Sequence, residues 1–341
     1  MAPAKTAASE EAAARPDVVV SGARPTGKLH IGHLNGALKS WLDLQQRYGC
    51  YFFVADWHAL TTEYAETVGI RANVESMVLD WLAVGIDPER AVIFRQSEVP
   101  QHAELFVMLS MVVPIPWLER VPTYKEQQEQ LEGKDLTTYG FLGYPLLQAA
   151  DILIYKGTKV PVGEDQLPHI ELAREVARRF NRLYRVDVFP EPAGVVVPAA
   201  RVPGTDGRKM SKSYGNAVEL VDDPRAVYDK LSRMVTDVRR KRRSDPGDPK
   251  DCPAFRLHEI YCTPEERAEL TEGCRTASIG CLDCKKVMIR HVVEELDPIR
   301  TRRLQLDERP GVAAEVLAAG STRAREIAAQ TLGDAKEAMG L

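Results

Sequence analysis

Four short apolar runs, each set beside a stretch with helical spacing, constrain what this 341-residue chain can fold into more than any other feature. Val18-Val19-Val20 is β-branched and ends at Ser21-Gly22, and an amphipathic helix is predicted over roughly 34–47. Residues 51–55 and 91–95 read as further buried strands, the latter preceded by a helix through about 71–84. Val160-Pro161-Val162 is a fourth, followed by a helical stretch from about 165 to 180. Strands alternating with helical patterns imply a parallel sheet with helices on both faces. The predicted fold class is therefore α/β, a doubly wound, Rossmann-like sheet. Ligands in such folds sit at the carboxyl ends of the strands, where the strand order reverses.

From Asp222 onward the pattern is helical, with caps and breaks at Thr263-Pro264, Gly280 and Asp297-Pro298. Two domains follow: a Rossmann-like one at 17–216 and an all-helical one at 217–341. Residues 1–16 contain almost nothing to bury and read as a disordered tail. That tail lacks the apolar segment of a secretory signal, and no run reaches the ~20 apolar residues of a membrane span, so a cytoplasmic, membrane-free protein is expected. A hydrophobic share of 44% and a charged share of 28% are ordinary for a globular chain. The net charge of −4 excludes a globally basic nucleic-acid binder. It leaves one local candidate patch, Arg239-Arg240-Lys241-Arg242-Arg243, whose other reading is a solvated loop.

Two motifs carry the chemistry. His30-Ile31-Gly32-His33 falls where the first strand gives way to a helix. A helix N-terminus has free N–H groups and partial positive charge, so it suits phosphate. Imidazoles placed there can donate to phosphoryl oxygens as charge builds in a transition state, and Gly32 leaves room for a nucleotide. Lys209-Met210-Ser211-Lys212-Ser213 follows the glycine-containing turn Pro203-Gly204-Thr205-Asp206-Gly207. Lys209 and Lys212 can close on a β,γ-phosphate group as point charges. Each motif alone could be a surface coincidence; together, on one α/β frame, they point to attack on the α-phosphate of ATP.

Five of the six cysteines lie within 33 residues. Cys252, Cys274, Cys281 and Cys284 offer four thiols with a single close pair. Structural zinc usually uses two close pairs, whereas a cubane iron–sulfur cluster needs four thiolates and tolerates wider spacing. Cys50 and Cys262 read as small buried hydrophobes.

The motif pair resembles that of class I aminoacyl-tRNA synthetases. The segments Ser21-Gly22-Ala23-Arg24-Pro25-Thr26-Gly27, Asp56-Trp57-His58-Ala59-Leu60-Thr61, Tyr144 through Leu153 and Val160 through Gln166 look like those of the bacterial tryptophanyl-tRNA synthetases. The resemblance implies ATP-dependent attachment of L-tryptophan to tRNA(Trp) through an adenylate, with Mg2+ on the ATP phosphates. It implies catalytic roles for His30, His33, Lys125, Lys209 and Lys212. ATP would be held by Gly32, Gly163, Asp165, Val202, Met210 and Ser211. Tryptophan would be held by Tyr144, Gln148 and Gln166 at the amino group, Asp151 at the indole nitrogen, and Val20, His58, Val160 and Val162 around the ring. The cysteine spacing resembles a subgroup with a 4Fe–4S cluster in an anticodon-binding domain, zinc being the alternative. Arg239–Arg243, Lys285 and Lys286 would face tRNA phosphates, and a homodimer is implied.

Tyrosyl-tRNA synthetases are the near rival. Asp151 could accept from an indole N–H or a phenol O–H and does not separate them. Val20 does, since it offers no polar partner to a tyrosine hydroxyl. A synthetase-like regulator that binds tRNA, or senses redox state through the thiols, is the alternative from another class. His33, Gln148 and Arg24 depart from the asparagine, methionine and glutamine common at those places in the bacterial tryptophan group.

Overall fold

The computed structural model describes residues 17–125, 135–196 and 202–341. The predicted tail, 1–16, lies outside them. Five strands, β1 (Val18–Ala23), β2 (Gly49–Val54), β3 (Ala91–Arg95), β4 (Lys159–Val162) and β5 (Ala193–Val196), form one sheet in the order β3-β2-β1-β4-β5. Every pairing is parallel. The order reverses between β1 and β4, which places a ligand crevice at their carboxyl ends. β5 was not anticipated: Ala193-Gly194 are poor strand formers, and only pairing with β4 organises them.

Side chains alternate across the sheet, so successive residues feed two separate cores. Val19, Phe52 and Ile93 join a core with α1 (31–44) and α3 (Ile70–Val84), where Trp41 and Trp81 are fully enclosed. Val20, Phe53 and Phe94 join the other, with α4 (Gln101–Ser110), α6 (Tyr139–Leu153) and α7 (Leu167–Tyr184). α2 (Asp56–Glu63) follows β2, and the short α5 (Ile115–Glu119) precedes α6. α1 begins as an α-helix at Ile31–His33, widens to a π turn over Leu34–Leu38 and resumes at Lys39–Leu44. Such bulges often accompany functional sites.

The helical C-terminal part comprises α8 (Pro224–Ser232), α9 (Pro253–Tyr261), α10 (Pro264–Arg275), α11 (Cys281–Asp307) and α12 (Val312–Met339). Thr263 caps α10 in a reciprocal capping box with Glu266, as its position before Pro264 implies, and Gly280 stands at the N-cap of α11. The expected break at Asp297-Pro298 does not occur. α11 continues through Pro298, because Met288, Val292, Leu296 and Ile299 pack into the same core as α3. α12 lies directly on β3: a Cβ on Gly320 would fall 1.8 Å from the Ile93 carbonyl oxygen. This covers what would otherwise be an open sheet edge. The predicted boundary at 216/217 marks no gap in packing. Val218, Leu220, Val227 and Leu231 share one core with Leu29 and Ile31.

Candidate active site

β1 delivers the chain to His30, which caps α1 in an extended conformation. The Gly32 N–H donates to His30 Nδ1 (3.1 Å), and the His30 N–H donates to His33 Nδ1 (3.2 Å). This is a capping box made of two imidazoles, with ring centroids 3.8 Å apart. Both δ nitrogens accept, so each ring carries its proton on Nε2. Burial lowers His30 to about 4 and His33 to about 3, the latter helped by the nearby His30 and Lys209. Both rings are therefore neutral hydrogen-bond donors near pH 7, not cations.

The lysine loop is stitched beside this turn. The Ile31 N–H donates to the Val218 carbonyl and the Leu220 N–H to the Leu29 carbonyl, each at 3.0 Å. Val202 and Met210 are buried and joined by a bond from the Met210 N–H to the Val202 carbonyl (3.0 Å). Buried Asn216 braces the loop: its Oδ1 accepts from the Ser211 N–H (2.8 Å), and its Nδ2 donates to Asp206 (2.7 Å) and the Lys209 carbonyl (3.2 Å). Lys209 and Lys212 are exposed. Gly27, at φ +123°, lets Lys212 lie across it; an added Cβ would fall 2.2 Å from Lys212 Nζ. The two motifs, far apart in sequence, thus meet.

A cavity of about 400 Å3 opens beside His33 at the reversal of strand order. It is lined by Val20, His58, Tyr144, Gln148, Asp151, Val160, Val162, Gly163 and Gln166, together with Arg24 and Phe53. Asp165 does not line it; it is exposed and accepts from Nε2 of the lining residue Gln166 (3.1 Å). Lys125 is exposed in a helical segment that begins at Pro122 and does not line the cavity.

Asp151 is buried and accepts from His58 Nε2 (2.7 Å), His102 Nδ1 (2.6 Å) and Gln96 Nε2 (2.8 Å). Burial pushes its carboxyl up, but the bond from His102 and the charge and bond of His58 outweigh that and hold it at about 2. The aspartate is thus a fixed carboxylate acceptor.

Sequence reading missed Gln96, His102, Thr123, His169 and Asn216. Thr123 Oγ1 lies 2.6 Å from His169 Nε2 and 3.1 Å from the Tyr144 hydroxyl. His169 lines the cavity, and burial lowers it to about 4. The one available signal is the Gln166–His169 spacing, which puts both on one helix face at the start of α7.

The four cysteines converge. Cys252 precedes α9, Cys274 ends α10, and Cys281 and Cys284 open α11; all four line one small cleft with Asp237, Arg240 and His258. Burial, then the neighbouring thiols, pushes Cys284 up to about 12. The basic residues here depart from expectation. Lys285 is buried, its ammonium donating to the Ser232 and Met234 carbonyls, so it is not available to a phosphate. Arg240 turns inward to Cys274 Sγ (3.8 Å) and the Ile279 carbonyl (2.8 Å). Arg239 is paired with Asp237 and Asp251. Lys241, Arg242, Arg243 and Lys286 remain exposed, Lys286 with its ammonium on the exposed Asp283 (3.0 Å). Cys262, Glu266 and His291 also lie together, but Glu266 is already satisfied by Arg290 (2.7 Å) and the Thr263 N–H (3.1 Å).

Fold and site together define an enzyme that activates a carboxylate on ATP. Residues 12–297 match the family described as tRNA synthetases class I (W and Y), and the chain belongs to that family. Tryptophan–tRNA ligase of Thermotoga maritima is 52% identical over 325 residues, covering 95% of this chain and 99% of that protein. The ligase of Ralstonia nicotianae is 44% identical, covering 96% and 99%. The crystal structure of tryptophanyl-tRNA synthetase from Campylobacter jejuni with ADP and tryptophan superposes with a TM-score of 0.83 at 32% identity, covering 95% of this chain and all of that one. Among the described residues no helix is long and apolar enough to cross a membrane.

Proposed function

We infer that the chain is a tryptophan–tRNA ligase that forms tryptophanyl-adenylate and passes the amino acid to tRNA(Trp). The observation that carries this is the meeting of the imidazole turn and the lysine loop beside a cavity built around an ionised Asp151.

ATP enters as its magnesium complex. The Nε2–H groups of His30 and His33 donate to phosphate oxygens, and Lys209 and Lys212 neutralise the departing pyrophosphate. Tyr144, Gln148 and Gln166 hold the tryptophan amino group, and Asp151 accepts from the indole nitrogen. Val20, His58, Val160 and Val162 frame the ring. Gly163 and Asp165 meet the ribose, and Val202, Met210 and Ser211 lie by the base. The protein contributes position and charge without a covalent intermediate. Amino-acid-dependent pyrophosphate exchange with tryptophan and tyrosine side by side is the test; exchange driven better by tyrosine overturns the substrate assignment.

The four thiols fit a 4Fe–4S cluster, since the donor set is all cysteine and lines one cleft. When bound, the cluster would tie α9, α10 and α11 together. Arg240 and Lys285, inside the domain, would offset thiolate charge, leaving Lys241, Arg242, Arg243 and Lys286 for tRNA phosphates. Brown colour with about four irons per chain is the expected result; one zinc per chain would replace the assignment. We further propose the homodimer and the division into catalytic and anticodon-binding domains, on resemblance to the family.

A further inference from the structure

Asp151 is the end point of a buried polar chain whose members play no part in the chemistry above. Gln96, fully buried after β3, accepts the Trp57 N–H on its Oε1 (3.2 Å), which fixes its amide nitrogen toward Asp151. His102, fully buried on α4, faces Asp151 through Nδ1 and the Tyr155 hydroxyl through Nε2 (2.7 Å). A carboxylate only accepts, so Nδ1 carries a hydrogen toward Asp151, while Nε2 pairs with the Tyr155 hydroxyl. Tyr155 is itself fixed by stacking on Tyr51, with centroids 4.5 Å apart.

The count of acceptor sites decides what this arrangement can read. A carboxylate offers about four lone-pair positions. Gln96 and His102 fill those of Oδ1, and His58 fills one on Oδ2, leaving one on Oδ2 for the cavity that Asp151 lines. An indole N–H is donor only and is satisfied by that single acceptor. A tyrosine hydroxyl also needs a donor for its own oxygen, yet the hydrogens of Gln96, His102 and His58 aimed here all go to the carboxylate. Leaving a buried oxygen unpaired carries the cost of its desolvation.

We propose that Gln96, His102 and Tyr155 are positioning residues for substrate choice, holding Asp151 as an acceptor with a single open site that takes an indole N–H and rejects a phenol. The proposal rests on the tryptophan reading. It also revises the view that Asp151 cannot separate the two amino acids: its surroundings do so.

The test uses the full chain and three substitutions, Tyr155→Phe, His102→Phe and His102→Asn. Pyrophosphate exchange is measured with tryptophan and with tyrosine, separating kcat from KM, and the KM for ATP reports intact folding. Tyr155→Phe should raise the tryptophan KM about fivefold, the size of one lost hydrogen bond, and lower the tryptophan-to-tyrosine ratio of kcat/KM. The ATP KM and the kcat at saturating tryptophan should stay within about twofold. His102→Phe should do more, and it supplies a signature that packing damage would not. With that donor gone, the groups facing Asp151 are His58 and Gln96, with Tyr155 and Tyr51 behind. Its carboxyl should then titrate higher, so kcat/KM for tryptophan falls earlier as pH is lowered. His102→Asn, which keeps a donor near Nδ1, should restore the parent pH profile. Parent tryptophan KM and parent discrimination in all three variants would overturn the proposal, as would a rise in tryptophan and ATP KM together. A parent chain inactive with tryptophan would overturn the underlying reading as well, and that outcome is seen before any variant is made.

Discussion

Gly27 and Lys212 are the residues on which the joining of the two motifs depends most directly. Gly27 combines a positive φ with contact against the lysine ammonium, so alanine there is opposed both by backbone strain and by collision with Lys212. Gly27→Ala should displace the lysine and lower kcat/KM for ATP at least tenfold. Lys212→Ala, which removes the charge outright, should cost a few hundredfold, about 3 kcal/mol of transition-state stabilisation. The same exchange assay checks both, and parent-like rates in Lys212→Ala would remove the lysine from the mechanism. At this scale the sequence was legible where a polar residue stood out from its surroundings. Asp151 sits inside an apolar run, and the histidines sit at a strand-to-helix turn. His102 and Gln96 carried no such mark, because their importance lies wholly in which atoms the fold brings beside Asp151.

Elements were legible where local chemistry and packing agree. Ala91–Arg95 is a strand with the bounds the sequence implies, and Thr263 and Gly280 begin helices. They disagree at Pro298, where the missing N–H and the ring's clash with the preceding turn favour a break. The apolar face of α11 is long enough to override that preference. Pro298 itself is exposed, so it contributes little burial in return. Pro298→Ala should therefore restore a backbone hydrogen bond to the Glu294 carbonyl and stabilise the chain by about 1–3 kcal/mol. That would raise the thermal midpoint by several degrees, measured by calorimetry. A lower midpoint would mean that the proline's fixed backbone is needed to seat α11 on α3.

The molecule as a whole joins its halves more tightly than a two-domain reading implies. Arg303 reaches from α11 to buried Asp80 on α3, and Asp80 also accepts the Leu29 N–H (3.3 Å) just before the imidazole turn. Patterns in sequence mark helices and strands, but not that α11 and α12 complete the cores of the sheet. Such tight packing has a consequence for pH. Burial lowers His30, His169 and His258 to about 4 and His33 to about 3, all from an ordinary 6.5. Unfolded, these rings take up protons below about 6.5; folded, they resist until near 4 or below. Their neutral burial is therefore fully compatible with the fold above 6.5, and stability is lost as pH falls from there toward 4, because the unfolded state binds more protons. Asp151 acts lower, its contribution present above the ordinary 3.8 and lost toward 2. The thermal midpoint, followed in a buffer series at constant ionic strength, should be level from pH 8 to 7 and then fall steadily from about 6.5 to 4, the fall beginning before carboxylates titrate. A midpoint that stays level down to pH 4.5 would mean that these histidines are not held neutral, and that His30 and His33 meet the phosphates as cations.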